Sequence, residues 1–336
     1  MTAERPREAG RAVAASEQGL TRLVRGVRAE ADFWRGIVYD ALRFRRHAWL
    51  QRVRSDASRE ARMLADAHFL EYGMALREAR PGFGLARAAR LAGDLLDGGV
   101  QGAAGGIGLA TLRAWAAFNA ATGMPAVVER ALALAVPACD GAGTETVTAG
   151  EIRRVAPADF LAFARSRHSL RQFARGPVPE AAIRRAVAAA QEAPSSCNRQ
   201  TCTAHVWTDP ALIDRVRRHQ AGNRTFGHEL GGIAVITSDL RHWEHAGERY
   251  QPWVDGGLFA MTLCYALHAE GLGTCFLNWS VTPEVDRALR AEIGLDDGQL
   301  VIVLLGFGLM PDRATVCASP RLPAETALRL NPPLAG

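Results

Sequence analysis

The run LVIVLLGFG, at residues 300–308, limits the possible folds of this chain more than any other segment. Every residue in it is apolar or glycine, so a strand built from it has no face suited to water. Its length and its β-branched residues favour a strand over a helix. The run therefore predicts a central strand, in a sheet that is covered on both faces.

Three shorter runs of the same kind predict the neighbouring strands. They are TAHVWT (203–208), GIAVITS (232–238) and TCFLNWSV (274–281). Helices are predicted between the strands, because proline is favoured at the first helical position behind a capping residue. Asp209-Pro210 and Thr282-Pro283 have this form, and Val178-Pro179 has the proline without a good capping residue.

The segment WVDGGLFAMTLCYALHAEG, at 253–271, is apolar nearly all round, which predicts a helix that is buried on several sides. Together with the strands, it predicts an α+β sandwich for the C-terminal part. In this sandwich, helices cover a central mixed or antiparallel sheet.

The N-terminal part has apolar residues at helical spacing instead. The repeat runs through DFWRGIVYDALRFRRHAWL and ASREARMLADAHFLEYGMAL, and PGFG at 81–84 interrupts it. The small, polar segment PACDGAGTETVTAG predicts a linker. We therefore expect a flexible N-terminus at 1–20, an all-α extension at 21–136, a linker at 137–150 and the α+β domain at 151–336.

The composition excludes two classes of enzyme. All 40 basic residues are arginine, because the chain contains no lysine. Arginine does not deprotonate, so Schiff-base chemistry, including the pyridoxal type, is excluded. GAAGGIG at 102–108 lacks the lysine of a P-loop and follows no predicted strand, so it predicts neither a Walker motif nor a dinucleotide-binding loop.

Charge and cysteine usage predict a cytoplasmic protein that binds neither nucleic acid nor a membrane. The net charge is +5, and acidic residues are interspersed among the arginines of residues 22–62. This pattern is typical of a solvated helical face, and a nucleic-acid or membrane-surface patch is the alternative. MTAERPREAGR has no signal-peptide pattern, and the six cysteines form no CxxC pair, which predicts reduced thiols.

The segment RSRHSLRQF, at 165–173, concentrates cations and hydroxyl groups just before the next predicted helix. A guanidinium fork and a hydroxyl suit the oxygens of a phosphate. Arg167 and Ser169 are therefore expected to converge on one oxyanion, with Arg171 as a second cation nearby. A surface turn held by salt bridges is the alternative.

Three later segments have properties that suit a flat, anionic ligand. APSSCNRQ (193–200) predicts an irregular loop with exposed donors. GLGTCFLNWS (271–280) has glycines where a helix turns into a strand, so that the backbone can approach a ligand closely. SPRLP (319–323) provides Arg321 after the last strand.

Taken in order, RHS with Arg171 and Phe173, PSSxNxQ, the apolar helix with GLGT, and PRLP resemble the nitroreductase family of FMN-dependent oxidoreductases. The resemblance covers about residues 155–330. It implies a homodimer with two FMN molecules in clefts at the interface, and a reduced nicotinamide, NADH or NADPH, as the electron donor.

The resemblance also implies roles for residues at matching positions. Arg167, Ser169 and Arg321 would hold the FMN phosphate, with His168 beside them. Arg171 would lie near the pyrimidine edge of the flavin, where a fixed guanidinium favours the reduced form.

Four residues match the loop that the partner subunit lays against the isoalloxazine: Pro194, Ser195, Ser196 and Asn198. Leu277 and Asn278 fall at the strand end where a backbone amide approaches flavin N5. No catalytic side chain is expected, because the flavin carries the chemistry and the protein orients a hydride donor and then an acceptor.

The chain departs from the family pattern at three places. The segment near N5 contains the bulky Phe276 and Trp279, and Ser319 replaces a lysine often found near the phosphate. Asn223 or Gly227 corresponds loosely to the family's flavin-contacting asparagine. These departures weaken the expectation of an ordinary nitroaromatic substrate and leave that of flavin binding in place.

Three functions remain open from the sequence. The first is an FMN-dependent NAD(P)H oxidoreductase that reduces a small electron-poor acceptor, such as a nitroaromatic, a quinone or an activated alkene. The second is a specialised FMN-dependent dehydrogenase or reductase of a biosynthetic pathway. The third is a flavin-binding scaffold or partner-binding protein with little turnover.

Two other groups of residues are weaker candidates. HWEH at 242–245, with Glu248, matches no zinc spacing, so a solvated loop or a substrate-facing lid is expected there and no metal site is predicted. The N-terminal part resembles the helical extension of some nitroreductase-like proteins. Its His68 and Glu71 share one helix face, which predicts a structural hydrogen bond, with a functional pair as the alternative.

Overall fold

The computed structural model describes residues 5–50, 52, 55–76, 79–99, 102–135, 142–144, 159–314, 316 and 323–334. Within these ranges, the chain is helical up to about residue 132 and mixed α and β from residue 160 onward. The helical region comprises α1 (Arg5–His47), α2 (Asp56–Ala75), α3 (Leu85–Asp94), α4 (Ala103–Phe118) and α5 (Ala126–Leu132).

The helical region has its own hydrophobic core. α2 begins at a capping box, in which Ser55 and Ser58 exchange hydrogen bonds between side chain and backbone. The apolar faces of α2 to α5 then pack together. The largest buried side chains among them are Met63, Leu70, Leu91, Leu95, Leu109, Leu112 and Trp115.

The α+β region alternates short helices with strands. Its helices are α6 (Phe160–Ser166), α7 (Glu180–Gln191), α8 (Pro210–Arg217), α9 (Gln251–Ala269) and α10 (Pro283–Ile293). Its strands are β1 (Cys202–Trp207), β2 (Gly232–Asp239), β3 (Leu272–Asn278) and β4 (Gln299–Leu309). α8 and α10 begin at the predicted prolines, and Asp209 caps α8 by accepting hydrogen bonds from two backbone amides.

The strands form one sheet in the order β1-β2-β4-β3, with every neighbouring pair antiparallel. β4 therefore lies inside the sheet, which confirms the prediction from LVIVLLGFG. β3 and β1 lie at opposite edges. β3 begins two residues earlier than predicted and ends at Asn278.

Helices cover both faces of the sheet. Ala234 and Ile236 of β2 face a core built with α7 and α9, whereas Ile233 and Val235 face a core built with α8 and α10. This alternation follows from the period of two along a strand. The predicted α+β sandwich, with an all-α region before it, is confirmed.

The prediction that α9 is buried on several sides is wrong for a single chain. Phe259 and Leu263 pack into the core, but Trp253, Val254 and Leu258 are 41%, 49% and 43% exposed. The physical reason is that the sheet and α7 cover only part of the helix. The remaining apolar face is open in the monomer.

The helical region contacts the α+β region at the end of α1. Phe44 and Ala48 join the core on the α9 side of the sheet. α1 begins at Arg5 and thus crosses the predicted boundary at residue 20. Of the predicted linker, residues 142–144 are described, and the amide of Gly143 donates to Glu71 Oε1 at 3.0 Å. The domain boundaries stay predictions.

Candidate functional site

The segment RSRHSLRQF leaves α6 and runs along the edge strand β3. α6 ends at Ser166, whose hydroxyl lies 2.7 Å from His268 Nε2. Ser169 then pairs with Thr274 of β3, and the amide of Leu170 donates to the Thr274 carbonyl at 2.8 Å. The backbone of this segment is therefore fixed beside β3.

Gly273 permits this close approach. A Cβ atom at position 273 would overlap the side chain of Leu170. This contact explains the second glycine of GLGT, which the sequence only associated with a nearby ligand.

Arg167 and Ser169 retain donors that the described residues do not use. Arg167 forms no ion pair with a carboxylate of the described residues, and no described residue hydrogen-bonds the Ser169 hydroxyl. Burial lowers the pKa of His268, and the positive charges of Arg167 and His168 lower it further. The field at this end of β3 thus favours an anion.

Arg171 lies further along the same segment. Its guanidinium is 6.0 Å from the centre of the Phe226 ring. Burial raises the pKa of the nearby Cys275 thiol, and the charge of Arg171 opposes that shift. Arg171 and Arg167 therefore both lie close to β3.

Leu277 and Asn278 end β3, as predicted. The Leu277 side chain is buried in the core, so only its backbone is free to meet a ligand. Gln220 Nε2 donates to the Asn278 carbonyl at 3.1 Å and lies 3.3 Å from its Oδ1. The structure therefore brings Arg167, His168, Ser169 and Arg171 together with the strand that carries Leu277 and Asn278.

The loop Pro194–Asn198 is held by α9. The amide of Ser196 donates to Asp255 Oδ2 at 2.9 Å, and its hydroxyl donates to Oδ1 at 3.2 Å. The hydroxyl of Ser195 accepts from the amide of Gln200 at 3.0 Å. Burial raises the pKa of Asp255, and the hydrogen bonds from Ser196 oppose the shift.

This loop has a strained backbone. Cys197, Asn198 and Gln200 have φ angles of 53°, 51° and 51°, in the left-handed region that non-glycine residues rarely adopt. Strain of this kind is common at binding sites, because the surrounding structure fixes an otherwise unfavourable conformation.

The loop does not meet the Arg167 cluster within one chain. Ser196 is bonded to Asp255 near the start of α9, whereas Ser166 contacts His268 at its end. At 1.5 Å per residue, these two positions on α9 are about 20 Å apart. In addition, the loop leads into β1, and the Arg167 cluster lies on β3, at the opposite edge of the sheet.

Two residues with clear roles at the site were not predicted. Asp255 positions Ser196, and its sequence signal is an acidic residue within the apolar run of α9. Gln220 positions Asn278, and no sequence pattern pointed to it.

Asn223 is not available to a ligand in this structure. It is buried, and its amide nitrogen donates to the carbonyls of Arg217 and Gln220 at 2.9 and 2.6 Å. Gly227 packs against the same side chain, where a Cβ atom would overlap Asn223. Both residues thus hold the turn in place.

Glu248 and Glu71 both accept hydrogen bonds from described residues. Glu248 accepts from Arg199 Nη1 at 2.7 Å and from the amide of His245 at 3.0 Å. Glu71 accepts from Thr111 and Gly143 rather than from His68, so the predicted partner was wrong and the structural role was right. Arg321 lies outside the described residues.

No described helix is both long enough and apolar enough to cross a lipid bilayer.

Residues 164–229 match the sequence profile of the nitroreductase family. A 4-nitrobenzoate reductase from Pseudomonas putida is 32% identical over 107 residues, which are 30% of this chain and 40% of that protein. The chain thus spans less than half the length of this curated relative.

Solved structures similar to this chain include an FMN-dependent nitroreductase from Clostridium difficile. It is 20% identical, with a TM-score of 0.43, over 51% of this chain and 98% of that chain. A protein from Desulfovibrio desulfuricans, solved in complex with FMN, is 21% identical, with a TM-score of 0.45, over 53% of this chain and 99% of that chain.

Residues 164–229 of this chain are therefore similar to the nitroreductase family. The resemblance that its sequence motifs indicated is confirmed there.

Proposed function

We propose that this protein is a homodimeric, FMN-dependent oxidoreductase. It would transfer hydride from NADH or NADPH through flavin N5 to a small electron-poor acceptor. The observation that carries the proposal is the pair Arg167 and Ser169, fixed beside β3 at the opposite end from Asn278. No described carboxylate engages either side chain, and Arg167 contacts the Cys264 thiol. The similarity of part of the chain to 4-nitrobenzoate reductase supports a nitroaromatic among the acceptors.

The donor set fits FMN. A phosphate dianion requires cationic and hydroxyl donors, which Arg167 and Ser169 supply, with His168 next to them. About 13 Å of strand separates Thr274 from Asn278, at 3.3 Å per residue. That length accommodates the ribityl chain between a phosphate at Ser169 and a flavin ring near the end of β3.

When bound, FMN supplies the hydride chemistry at N5. The residues of the chain bind and orient it. Arg171 would stabilise negative charge on the pyrimidine edge of the ring. Asn278, fixed by Gln220, offers its backbone at the strand end.

The separation of the two halves of the site supports the homodimer. The loop Pro194–Asn198 and the Arg167 cluster lie at opposite ends of α9 in one chain. A second copy would bring its own loop to the cluster and would cover the exposed Trp253, Val254 and Leu258 of α9. The cytoplasmic location stays a prediction.

A specialised reductase or dehydrogenase of a biosynthetic pathway is the second candidate. One observation favours it: the helical region reaches the end of β3. Tyr39 of α1 and Trp279 donate to the same carboxylate, that of Asp286, at 2.7 and 2.8 Å. Together with Trp253, they line a cavity of about 80 Å³ between α1 and the α+β region. α1 would then shape the substrate pocket.

The proposed function is tested by anaerobic mixing with each nicotinamide. The purified protein should be yellow, and NADH or NADPH should bleach its flavin absorbance at a rate that supports turnover. A colourless protein that takes up no added FMN would contradict the proposal. Bleaching too slow for turnover would instead support the flavin-binding scaffold.

A product screen separates the two enzymes. The full-length protein and a Tyr39→Phe variant would be compared across nitroaromatics, quinones and activated alkenes. For a general reductase, we expect the same acceptor preferences in both. A change in preference without loss of FMN would favour the specialised enzyme.

A further inference from the structure

α1 carries a stripe of solvent-exposed apolar side chains, which we call the α1 stripe. Val27, Trp34 and Val38 are 62%, 55% and 51% exposed, and Val24 and Ala31 are exposed on the same face. Exposed valine and tryptophan side chains in a row are uncommon on a monomeric protein and indicate an interaction surface.

The spacing of the stripe identifies a helix as its partner. Positions 24, 27, 31, 34 and 38 are separated alternately by three and four residues. This is the heptad pattern, with Val24, Ala31 and Val38 at position a and Val27 and Trp34 at position d. Such a seam keeps facing a second helix along its whole length, because seven residues make nearly two turns.

α1 has the length for such an interaction. Its 43 residues correspond to about 65 Å of helix. Its contacts with the α+β region involve its second half: Arg35 pairs with Glu284, Tyr39 with Asp286 and Arg43 with Asp297. Ala31, Trp34 and Val38 of the stripe line a groove whose other side is Pro283, Glu284 and Arg287 of α10, but Trp34 and Val38 stay more than half exposed. The apolar stripe therefore remains accessible while α1 is anchored.

The charges beside the stripe favour a second copy of α1 as the partner. Glu30 is at position g, and Arg35 is at position e of the next heptad. In a parallel, in-register pair, position g of one helix faces this position e of the other, so that Glu30 and Arg35 would attract each other across the seam. This attraction would add to the contacts that each already has in its own chain, Glu30 with Trp34 and Arg35 with Asp32 and Glu284. Ile37 at position g and Leu42 at position e of the following heptad form the next pair of this kind, and both are exposed, so they would extend the apolar contact. In an antiparallel pair, Arg28 and Arg35 at positions e would face each other instead.

We propose that α1 forms a parallel, two-stranded coiled coil with α1 of a second copy of this chain, through the α1 stripe. Valine at position a favours two strands over larger assemblies. A lipid surface is a poorer match, because Arg28, Glu30 and Arg35 flank the first half of the stripe and leave a narrow apolar face there, whereas an interfacial helix inserts a wide one along its length. This inference goes beyond the proposed function and does not depend on flavin.

The test is site-specific cross-linking along α1. Val27→Cys places a thiol at position d, where the two copies face each other across the seam. The matched control, Arg25→Cys, places a thiol two residues away, on the outer face of the same helix. Both residues are exposed, so neither substitution disturbs a core.

Mild oxidation is expected to convert most Val27→Cys protein into disulfide-linked dimers, with the two position-27 peptides joined, as identified by mass spectrometry. Arg25→Cys should show no more cross-linking than the wild type, which provides the baseline for the native cysteines. Absence of the link in Val27→Cys, or equal linking in both variants, would overturn the proposal.

Vesicles of phosphatidylglycerol and phosphatidylcholine test the competing partner. Sedimentation of the wild-type protein with vesicles, together with no cross-linking of Val27→Cys, would assign the stripe to a lipid surface and overturn the coiled coil. The cross-link is expected with or without FMN, so its failure would leave the proposed function standing.

Discussion

At the residue scale, Asp286 joins more parts of the molecule than any other side chain described above. Its carboxylate accepts hydrogen bonds from Tyr39 and Trp279, and from Arg290 Nε at 2.7 Å. Arg43 Nη1 lies 3.7 Å away. Burial alone would raise the pKa of Asp286, but the hydrogen bonds from Trp279 and Arg290 and the charge of Arg290 hold it below the ordinary value. Burial and the bond to Asp286 raise the pKa of Tyr39 to about 12.

We expect Asp286→Ala to lower the free energy of unfolding at pH 7 by about 3–5 kcal/mol, because Arg290 would remain buried without its carboxylate partner and Arg43 would keep Asp297 alone of its two. Asp32→Ala, which removes an exposed pair with Arg35, should cost about 0–1 kcal/mol. Denaturant unfolding measures both.

The same network has a predictable pH dependence. A carboxyl group with a lowered pKa in the folded state stabilises the fold above its unfolded pKa, about 3.9, and loses that contribution as the pH falls through the folded pKa. The difference between wild type and Asp286→Ala should therefore be constant from pH 7 to pH 5 and shrink below about pH 4. A difference that grows on acidification would contradict this assignment.

Arg167 is predicted to carry much of the affinity for FMN. A lost hydrogen bond to a charged group costs about 1.5–3 kcal/mol, so Arg167→Ala should weaken FMN binding on the order of 10- to 100-fold. Arg113→Ala is the control, because Arg113 donates only to the Leu134 carbonyl in the helical region. FMN retention on dialysis compares them, and equal retention would count against Arg167 as the phosphate ligand.

At the element scale, the turn PGFG determines how α2, α3 and α4 fit together. The Phe83 ring lies directly on Gly73 of α2, and the Phe83 carbonyl accepts from Trp115 Nε1 of α4 at 3.0 Å. Gly84 begins α3 with a φ of 72°, which glycine adopts without strain. The glycine in EYGMAL and the turn that follows are therefore parts of one contact.

We expect Gly73→Ala to destabilise the protein by about 1–3 kcal/mol, because a methyl group at this position would overlap the Phe83 ring. Gly93→Ala is the matched control in α3, where a Cβ atom meets nothing within 4 Å. It should stabilise the protein by about 0.5–1 kcal/mol through helix propensity. If both substitutions changed the free energy of unfolding in the same direction, as measured by denaturant, this account of the α2 packing would be refuted.

At the scale of the whole molecule, a single chain exposes apolar surface that a soluble monomer would cover. Trp253, Val254 and Leu258 are open on α9, and Leu328 and Leu330 near the C-terminus are 59% and 78% exposed. Burying such surface in a symmetric dimer is favourable, and it would also bring the Pro194–Asn198 loop of one chain towards the Arg167 cluster of the other.

A mixing experiment tests that arrangement. Arg167→Ala and Asn198→Arg are each expected to lose FMN as homodimers. If each site takes Arg167 from one chain and Asn198 from the other, a heterodimer of the two variants has one intact site and one doubly altered site. Purified through two different tags, it should hold about half the FMN of the wild type. If one chain supplies both residues, no site is intact and the heterodimer holds none.

The sequence by itself determined the local elements. LVIVLLGFG had to be an interior strand because no residue in it tolerates water, and the prolines behind Asp209 and Thr282 marked the helix starts. RSRHSLRQF was predicted to bind an anion because its donors are close together along the chain, and this assignment stays a prediction. Such properties depend on residues that are neighbours along the chain, so they can be predicted from the amino-acid sequence alone.

The tertiary structure determined which residues and surfaces lie against one another. Three sets of hydrogen bonds join residues that are far apart in sequence. Asp255 accepts from Ser196, Asn278 accepts from Gln220, and Asp286 accepts from both Tyr39 and Trp279. The open face of α9 was predicted from the sequence to be buried, and only packing showed that one chain leaves it exposed. Apolar periodicity reports that a face will be buried, but whether its partner lies in the same chain depends on the space that the fold leaves around it.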